Sequence, residues 1–329
     1  MKNVRHHTQD SEHQRKLDMP VHTTPQQDGV LVLYKPKGMS SAAAIACIKR
    51  GFTQKKIGHA GTLDPMAEGV LLVLLGQATK LSGYLLNAGT KIYSGSILLG
   101  VETDTWDMEG SVIAEKSHAE VTVEAIQAAM QELVGTYEQE VPAYSAAKHQ
   151  GKPLYALARE GLPTPVKTKP VTVFSGRIES VDLPHIGFRV ECSSGTYIRS
   201  LAHSLGKRLG CGAALEILIR EHSYPFGLQK AVHLEQLQED PKLFEQSLCT
   251  LAETLPEWPR VTLCDEEAAR VKNGHSVPHR ETPTGEPFTA GRQVLLEQRD
   301  TTPLALAEET LLDGQAVWVI KRGLWNEQR

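Results

Sequence analysis

An α+β fold with a mixed or antiparallel sheet is what this 329-residue sequence predicts. Three observations carry the prediction. Candidate strands and helices alternate irregularly and are joined by short hairpin-like links, unlike the regular rhythm of a doubly wound fold. The run Val70–Leu75 is apolar at every position and reads as a buried strand. From Val261 the texture changes to short strand candidates and turns, ending in Ala316–Ile320, so a small β-rich unit is expected at the C-terminus.

The elements follow in order. Residues 1–27 are polar, lack apolar periodicity and read as a disordered tail. Four histidines lie there (His6, His7, His13, His22), and a floppy tail accounts for them better than a metal site does. Gly29 to Tyr34 is a short apolar strand, and Ser40 is placed to cap a helix ending at Gly51. Thr79 to Asn87 is expected as a helix and Tyr93 to Val101 as a long strand free of proline. Val123, Ile126, Met130, Leu133 and Val134 share one face of a helix over Thr122 to Val134. Lys152 to Glu160 reads as helical, with Pro153 in its first turn. Pro163, Pro165 and Pro170 mark a loop, and strands follow at 171–180 and 187–192. Thr196 is expected to cap a helix burying Ile198, Leu201, Leu205 and Leu209. Residues 236–257 read as a helical linker. The expected division is a tail over 1–27, a main domain over 28–257 and a C-terminal domain over 258–329.

Composition narrows the function classes. Hydrophobic residues make up 40% and charged residues 22%, as in an ordinary water-soluble globule. No apolar run approaches the roughly 20 residues of a membrane helix, and the polar N-terminus does not read as a secretory signal. Five scattered cysteines form no Cys-x-x-Cys pair, so a cytoplasmic setting is the expectation. The net charge is −4, but it is segregated. Residues 28–91 carry 8 Lys/Arg against 3 Asp/Glu, and residues 141–208 carry 10 against 4. Residues 92–140 carry 1 against 10, and residues 209–329 carry 12 against 19. Positive segments on this scale point to an anionic substrate.

The stretch GHAGTLDPMAEGVL at 58–71 is the most informative. It sets one acidic residue, Asp64, in a Gly-rich turn before the buried run. Gly58 and Gly61 allow a sharp bend and close approach of a ligand, and Pro65 keeps Asp64 extended. A carboxylate presented this way suits a nucleophile or general base. An Asx-turn, with Asp64 bonding only its own backbone, is the simpler account of the turn alone.

The whole string changes that balance. His-Ala-Gly-Thr-Leu-Asp-Pro resembles the catalytic motif of the TruB-type tRNA pseudouridine-55 synthases and their guide-RNA relatives. Four further segments resemble the same family in the same order: KPKGMSS at 35–41, DTWDMEG at 104–110, VPAYSAAKHQGKPLYALAREG at 141–161 and GTYIRSLAHSLGKRLGCGA at 195–213. The resemblance covers roughly residues 28–235. It implies a central mixed sheet with the active cleft on one face, and an activity that isomerises a T-loop uridine of tRNA after base flipping. Asp64 is then the essential catalyst, by attack on ribose or base or by taking a proton from the sugar. Arg199 is implied as the guanidinium beside it, keeping it ionised, and Tyr93 as the tyrosine that stacks on the base. Substrate contacts are implied for His59 and Tyr197. Lys35 and Lys37 suit phosphate contact or support of the catalytic loop. Lys148, Lys152 and Arg159, interleaved with Tyr144 and Tyr155, suit phosphate contact and stacking in a segment, 141–165, that closes over the RNA loop. The segment Glu266–Gly274 looks like the opening of a PUA-type RNA-binding domain, whose local acidity argues for a modest RNA role. Where the family commonly shows Leu-Arg-Arg-Thr, this chain has Leu218-Ile-Arg-Glu221, so no RNA contact is carried onto that stretch.

The chemistry involves no redox step, and the sequence lacks a dinucleotide fingerprint, a phosphate-binding Gly-Lys-Ser/Thr loop and a metal-ligand array. No cofactor, no metal and no membrane is expected; the partner is tRNA through its T-stem-loop, met by a monomer. The competing readings are a guide-RNA-dependent catalytic subunit, an RNA chaperone without chemistry, and a metal hydrolase built on His59 and Asp64. The last lacks a third ligand.

Overall fold

The two larger sheets among the described residues are built from strands whose side-chain alternation decides what each face covers. The computed structural model describes residues 19–87, 89–145, 147–279 and 288–325. The main sheet takes its principal strands from β1 (Gly29–Lys35), β2 (Glu68–Leu75), β3 (Thr90–Leu99), β4 (Gly135–Glu140), β5 (Thr168–Asp182), β6 (His185–Ser193), β7 (Ala213–Ser223) and β8 (Val232–His233). Its order is β8-β1-β2-β7-β3-β6-β5-β4. The β8–β1 and β2–β7 pairs are parallel and the rest antiparallel, so the sheet is mixed, as the sequence predicts.

The unbroken apolar run of β2 follows from its place inside this sheet. Leu71, Val73 and Leu75 face one cluster with Leu31, Leu33 and the helix α1 (Ser41–Gly51). Val70, Leu72 and Leu74 face another with Val30, Val32 and Leu85. Both faces are covered, so alternation disappears. A third cluster packs α2 (Val123–Gln131) and α3 (Ile198–Leu209) against Ile97, Phe188, Val190 and Leu215.

Ser40 and Thr122 cap α1 and α2 by accepting from Ala43 N and Ala125 N. Thr196 does not cap α3. Its hydroxyl donates to Ser193 O at 2.9 Å, and the helix begins after Tyr197. Gln139 of β4 satisfies that end instead: its Oε1 accepts from Tyr197 N at 2.7 Å and its Nε2 donates to Tyr197 O at 3.1 Å. The expected helix over 79–87 is a 3-10 turn over Gly76–Leu81 followed by an α-helix over Ser82–Asn87.

Residues 19–27, expected within the tail, lie against the body. Met19 is buried beside α1, Thr24 and Thr53 exchange hydrogen bonds, and Gln26 Oε1 accepts from Lys55 N and Lys56 N. His22 stacks on Phe52. His6, His7 and His13 lie outside the described residues.

The C-terminal sheet has five strands, ordered Arg260–Thr262, Gln293–Glu297, Pro303–Leu312, Gln315–Gly323 and Val277–Pro278. A helix over Asp265–Lys272 packs on it, with Trp318 at its core. Leu295, Leu306 and Leu324 turn the other way and join the cluster of Val30, Leu72 and Leu74. This sheet therefore completes the main core.

Candidate active site

Asp64 sits in the loop between the short strand Ile57–Ala60 and β2. Gly61 starts the loop at φ +82°, where a side chain is strained. The carbonyls around Asp64 are held from three directions. Ser41 Oγ, at the first turn of α1, donates to Leu63 O at 3.0 Å and accepts from Leu63 N at 2.9 Å. Lys35 Nζ donates to Met39 O at 2.6 Å, Pro36 O at 2.8 Å and Pro65 O at 3.4 Å. Arg220 donates from Nε to Val70 O at 2.7 Å, from Nη2 to Gly61 O at 2.9 Å and from Nη1 to Thr62 O at 3.4 Å.

Arg199 enters from the first turn of α3. Its side chain is 5% exposed, and its Nε lies 2.9 Å from Asp64 Oδ2 and 3.4 Å from Asp107 Oδ2. The N–H does not point along either line, so these are ion pairs without a formed hydrogen bond. Nη1 and Nη2 donate to Thr105 O at 3.1 Å and Tyr144 O at 3.0 Å, which fix the plane of the guanidinium. Asp107 is itself held, because Oδ1 accepts from Thr105 Oγ1 at 2.6 Å and Glu109 N at 3.0 Å. The DTWDMEG segment is pinned to β7 by Met108 N to Leu215 O and Leu215 N to Trp106 O. One cation thus joins two carboxylates; Asp107 is buried, while Asp64 keeps 39% of its side chain exposed.

Asp64, Tyr93, Tyr197 and Arg199 line one cleft of about 370 Å³, together with Lys91, Lys169 and Arg220. Tyr93 lies opposite Arg220 across the β3–β7 pair. Burial pushes its phenol pKa up, and Arg220 partly offsets the rise. Lys169 Nζ stands 5.7 Å from the centroid of the Tyr197 ring.

The remaining predicted residues lie elsewhere. Lys35 is fully buried and engaged by carbonyls, so it supports the loop and does not face substrate as a phosphate contact would require. Burial lowers its ammonium to about 8, with Asp64 acting in the other direction. His59 is not part of the cleft lining. It pairs with Val73 on the neighbouring strand, its Nδ1 is buried without a hydrogen bond, and burial together with Arg220 lowers its pKa. Lys37 is exposed. Lys148 and Lys152 are exposed on a small hairpin, and Arg159 lies over the Tyr155 ring at 5.6 Å. Among the described residues no group of His, Cys, Asp and Glu is arranged to hold a metal ion, and no helix is long and apolar enough to cross a membrane.

Sequence reasoning passed over Asp107, Lys91, Lys169 and Arg220. Lys91 had a signal: it shares strand parity with Tyr93, Ile97 and Leu99, the buried face of β3. Arg220 had none, because β7 itself was not foreseen. Two register shifts, at Leu215/Ile217 and Arg220/His222, break its alternation. Gly69 lets β2 and β7 meet there, since a Cβ would lie 2.3 Å from Arg220 O. Arg220→Lys keeps one charge but loses the fork that reaches three carbonyls. We expect a stability loss of about 1–3 kcal/mol in urea unfolding and a turnover loss of about tenfold or more from a loosened loop. If neither moves, Arg220 does not hold the loop.

Known proteins resemble this chain over most of its length. The model of the TruB family of pseudouridylate synthases (N terminal domain) matches residues 49–198. A tRNA pseudouridine synthase B of Oleidesulfovibrio alaskensis is 54% identical over 304 residues, covering 92% of this chain and 97% of that one. Its counterpart in Nitratidesulfovibrio vulgaris (strain DSM 19637 / Miyazaki F) is 52% identical over 303 residues, covering 92% and 98%. The crystal structure of a Cbf5-Nop10-Gar1 complex contains a chain that superposes with a TM-score of 0.68 at 25% identity, covering 94% of this chain and 92% of that one. With two close relatives aligned over nearly their whole length, the chain belongs to the TruB family of pseudouridylate synthases.

Proposed function

We propose that this chain isomerises uridine to pseudouridine in tRNA, at position 55 of the T-loop, and that it does so as a single chain without a guide RNA. The observation that carries the reading is Asp64, half-exposed in a cleft of about 370 Å³ and ion-paired to a buried arginine. A cleft of this size suits one nucleotide taken out of its stack. In the reaction the N1–C1′ bond breaks, the base turns, and a C5–C1′ bond forms. N1 gains a proton and the hydrogen on C5 leaves to water, so nothing is oxidised or reduced. Asp64 supplies the reacting oxygen, either to ribose or base carbon or to a sugar proton. Arg199 holds that carboxylate in register through its contacts with Asp107, Thr105 and Tyr144. Tyr93 receives the base, and Tyr197 closes the adjacent wall.

Lys148, Lys152 and Arg159 are exposed and stand outside the cleft, where they act as phosphate contacts of the closing segment. A loop RNA gives a slope of log affinity against log salt of about −0.7 per phosphate neutralised. Several contacts predict a slope of roughly −2 to −4, and changing all three residues to Ala is expected to flatten it by about one to two units. Turnover at saturating RNA should fall much less than affinity. A triple variant with the full wild-type slope contradicts this role.

Chemical mapping of pseudouridine on an unmodified whole-tRNA transcript tests the reading. We expect one new pseudouridine, in the T-loop, when the purified chain is the only macromolecule added. Modification elsewhere overturns the site assignment, and modification that requires a guide RNA favours the guide-dependent reading.

A further inference from the structure

Lys91 and Tyr93 sit two residues apart on one face of β3, so the lysine enters the cleft beside the tyrosine. Its side chain is buried, and its Nζ donates to Ser194 Oγ at 2.7 Å. Lys169, near the start of β5, approaches the same turn, and a Cβ on Gly195 would lie 2.2 Å from its Nζ. Arg220 is the third cation: a Cβ on Gly61 would lie 3.3 Å from Lys91 Nζ and 3.4 Å from Arg220 Nη1. Arg220 is occupied by three backbone carbonyls; the two ammonium groups have no such set. Among the described residues no carboxylate stands within ion-pair distance of any of the three.

This arrangement is costly for a protein alone. Lys91 and Arg220 are buried and Lys169 is half-buried; buried cations without a counter-charge are destabilising, and a neutral chain of the same length would pack there at less cost. Burial lowers Lys91 to about 8, with Arg220 and Lys169 adding to the drop, and burial lowers Lys169 as well. No carboxylate of the described residues balances them, and an anion from outside the chain would.

We propose that Lys91 and Lys169, at the Ser194–Gly195 turn, form a phosphate subsite that grips the phosphodiester beside the flipped uridine while Asp64 acts on that nucleotide. The proposal rests on the reading of the chain as a uridine isomerase. A phosphodiester carries a full charge and several acceptors, enough for two ammonium groups. A uracil carbonyl is neutral and leaves both charges uncompensated. Gly195 lacks a side chain, which leaves Lys169 Nζ room to lie against the turn. The subsite fixes the nucleotide by its backbone and so aligns C1′ with Asp64 whichever base neighbours it has.

A double-mutant cycle between protein and RNA tests this. Lys91→Met keeps length and removes charge. Its affinity is measured for a T-stem-loop and for two versions carrying a neutral methylphosphonate at the phosphate 5′ or 3′ to the target uridine. On unmodified RNA the variant is expected to bind on the order of tenfold more weakly than wild type. On one of the two neutral-backbone RNAs that difference should vanish, because the partner charge is already gone. Lys169→Met should couple to the same position. A loss of equal size on all three RNAs means Lys91 only supports the fold, and no loss on any means it meets no phosphate; either result overturns the subsite. Wild-type pseudouridine formation on the unmodified RNA, followed in parallel, separates these outcomes from failure of the isomerase reading itself.

Discussion

Asp64→Asn is expected to abolish pseudouridine formation while leaving fold and RNA affinity nearly intact. The exchange removes the charge and the nucleophilic or basic oxygen but keeps the shape. Loss of a single essential group of this kind costs about 10⁴-fold or more in turnover. Stability should change little, for two reasons. Asp64 is partly exposed, and Arg199 keeps Asp107 at 3.4 Å together with the carbonyls of Thr105 and Tyr144. Single-turnover rates, with affinity measured separately, check the claim. An asparagine variant within tenfold of wild type removes Asp64 from the chemistry.

The second large effect is expected from Arg199→Lys. The charge survives, but a lysine cannot span Asp64, Asp107 and two carbonyls on opposite sides. Two part-buried carbonyls lose their donor, at about 1–3 kcal/mol of stability. Asp64 loses the group that sets its position, and a shift of that kind costs turnover about 10²-fold or more. RNA affinity should change little, because the guanidinium is spent on protein atoms. Unchanged turnover with RNA in excess means that the ion pair does not position the carboxylate.

How far the sequence led differs from residue to residue. Capping at Ser40 and Thr122, the buried run of β2 and the inner face of α3 were legible because each rests on local chemistry or on a period. Thr196 looked like a cap, but a side chain from another strand, Gln139, took that duty, and no local pattern shows it. Asp64, Arg199 and Tyr93 were named through motif resemblance and come together in one cleft. Lys35 suited either phosphate contact or support of the catalytic loop, and only the fold shows that its ammonium is enclosed by carbonyls beneath that loop. The departure at Leu218–Glu221 from Leu-Arg-Arg-Thr loses one cation, and the retained one, Arg220, holds the catalytic loop, a role no local pattern shows. The C-terminal unit was legible as β-rich. Its sharing of one hydrophobic cluster with β1 and β2 was not, since contacts between distant segments leave no local trace.

Tritium release from a T-stem-loop RNA labelled at C5 of its uridines tests the central claim most directly, because the C5 hydrogen leaves only when the base rejoins ribose through that carbon. Purified wild-type chain, with no other RNA or protein, is predicted to release the label of one uridine per RNA, and the Asp64→Asn variant to release essentially none. No release by the wild type, or equal release by both, would contradict the account.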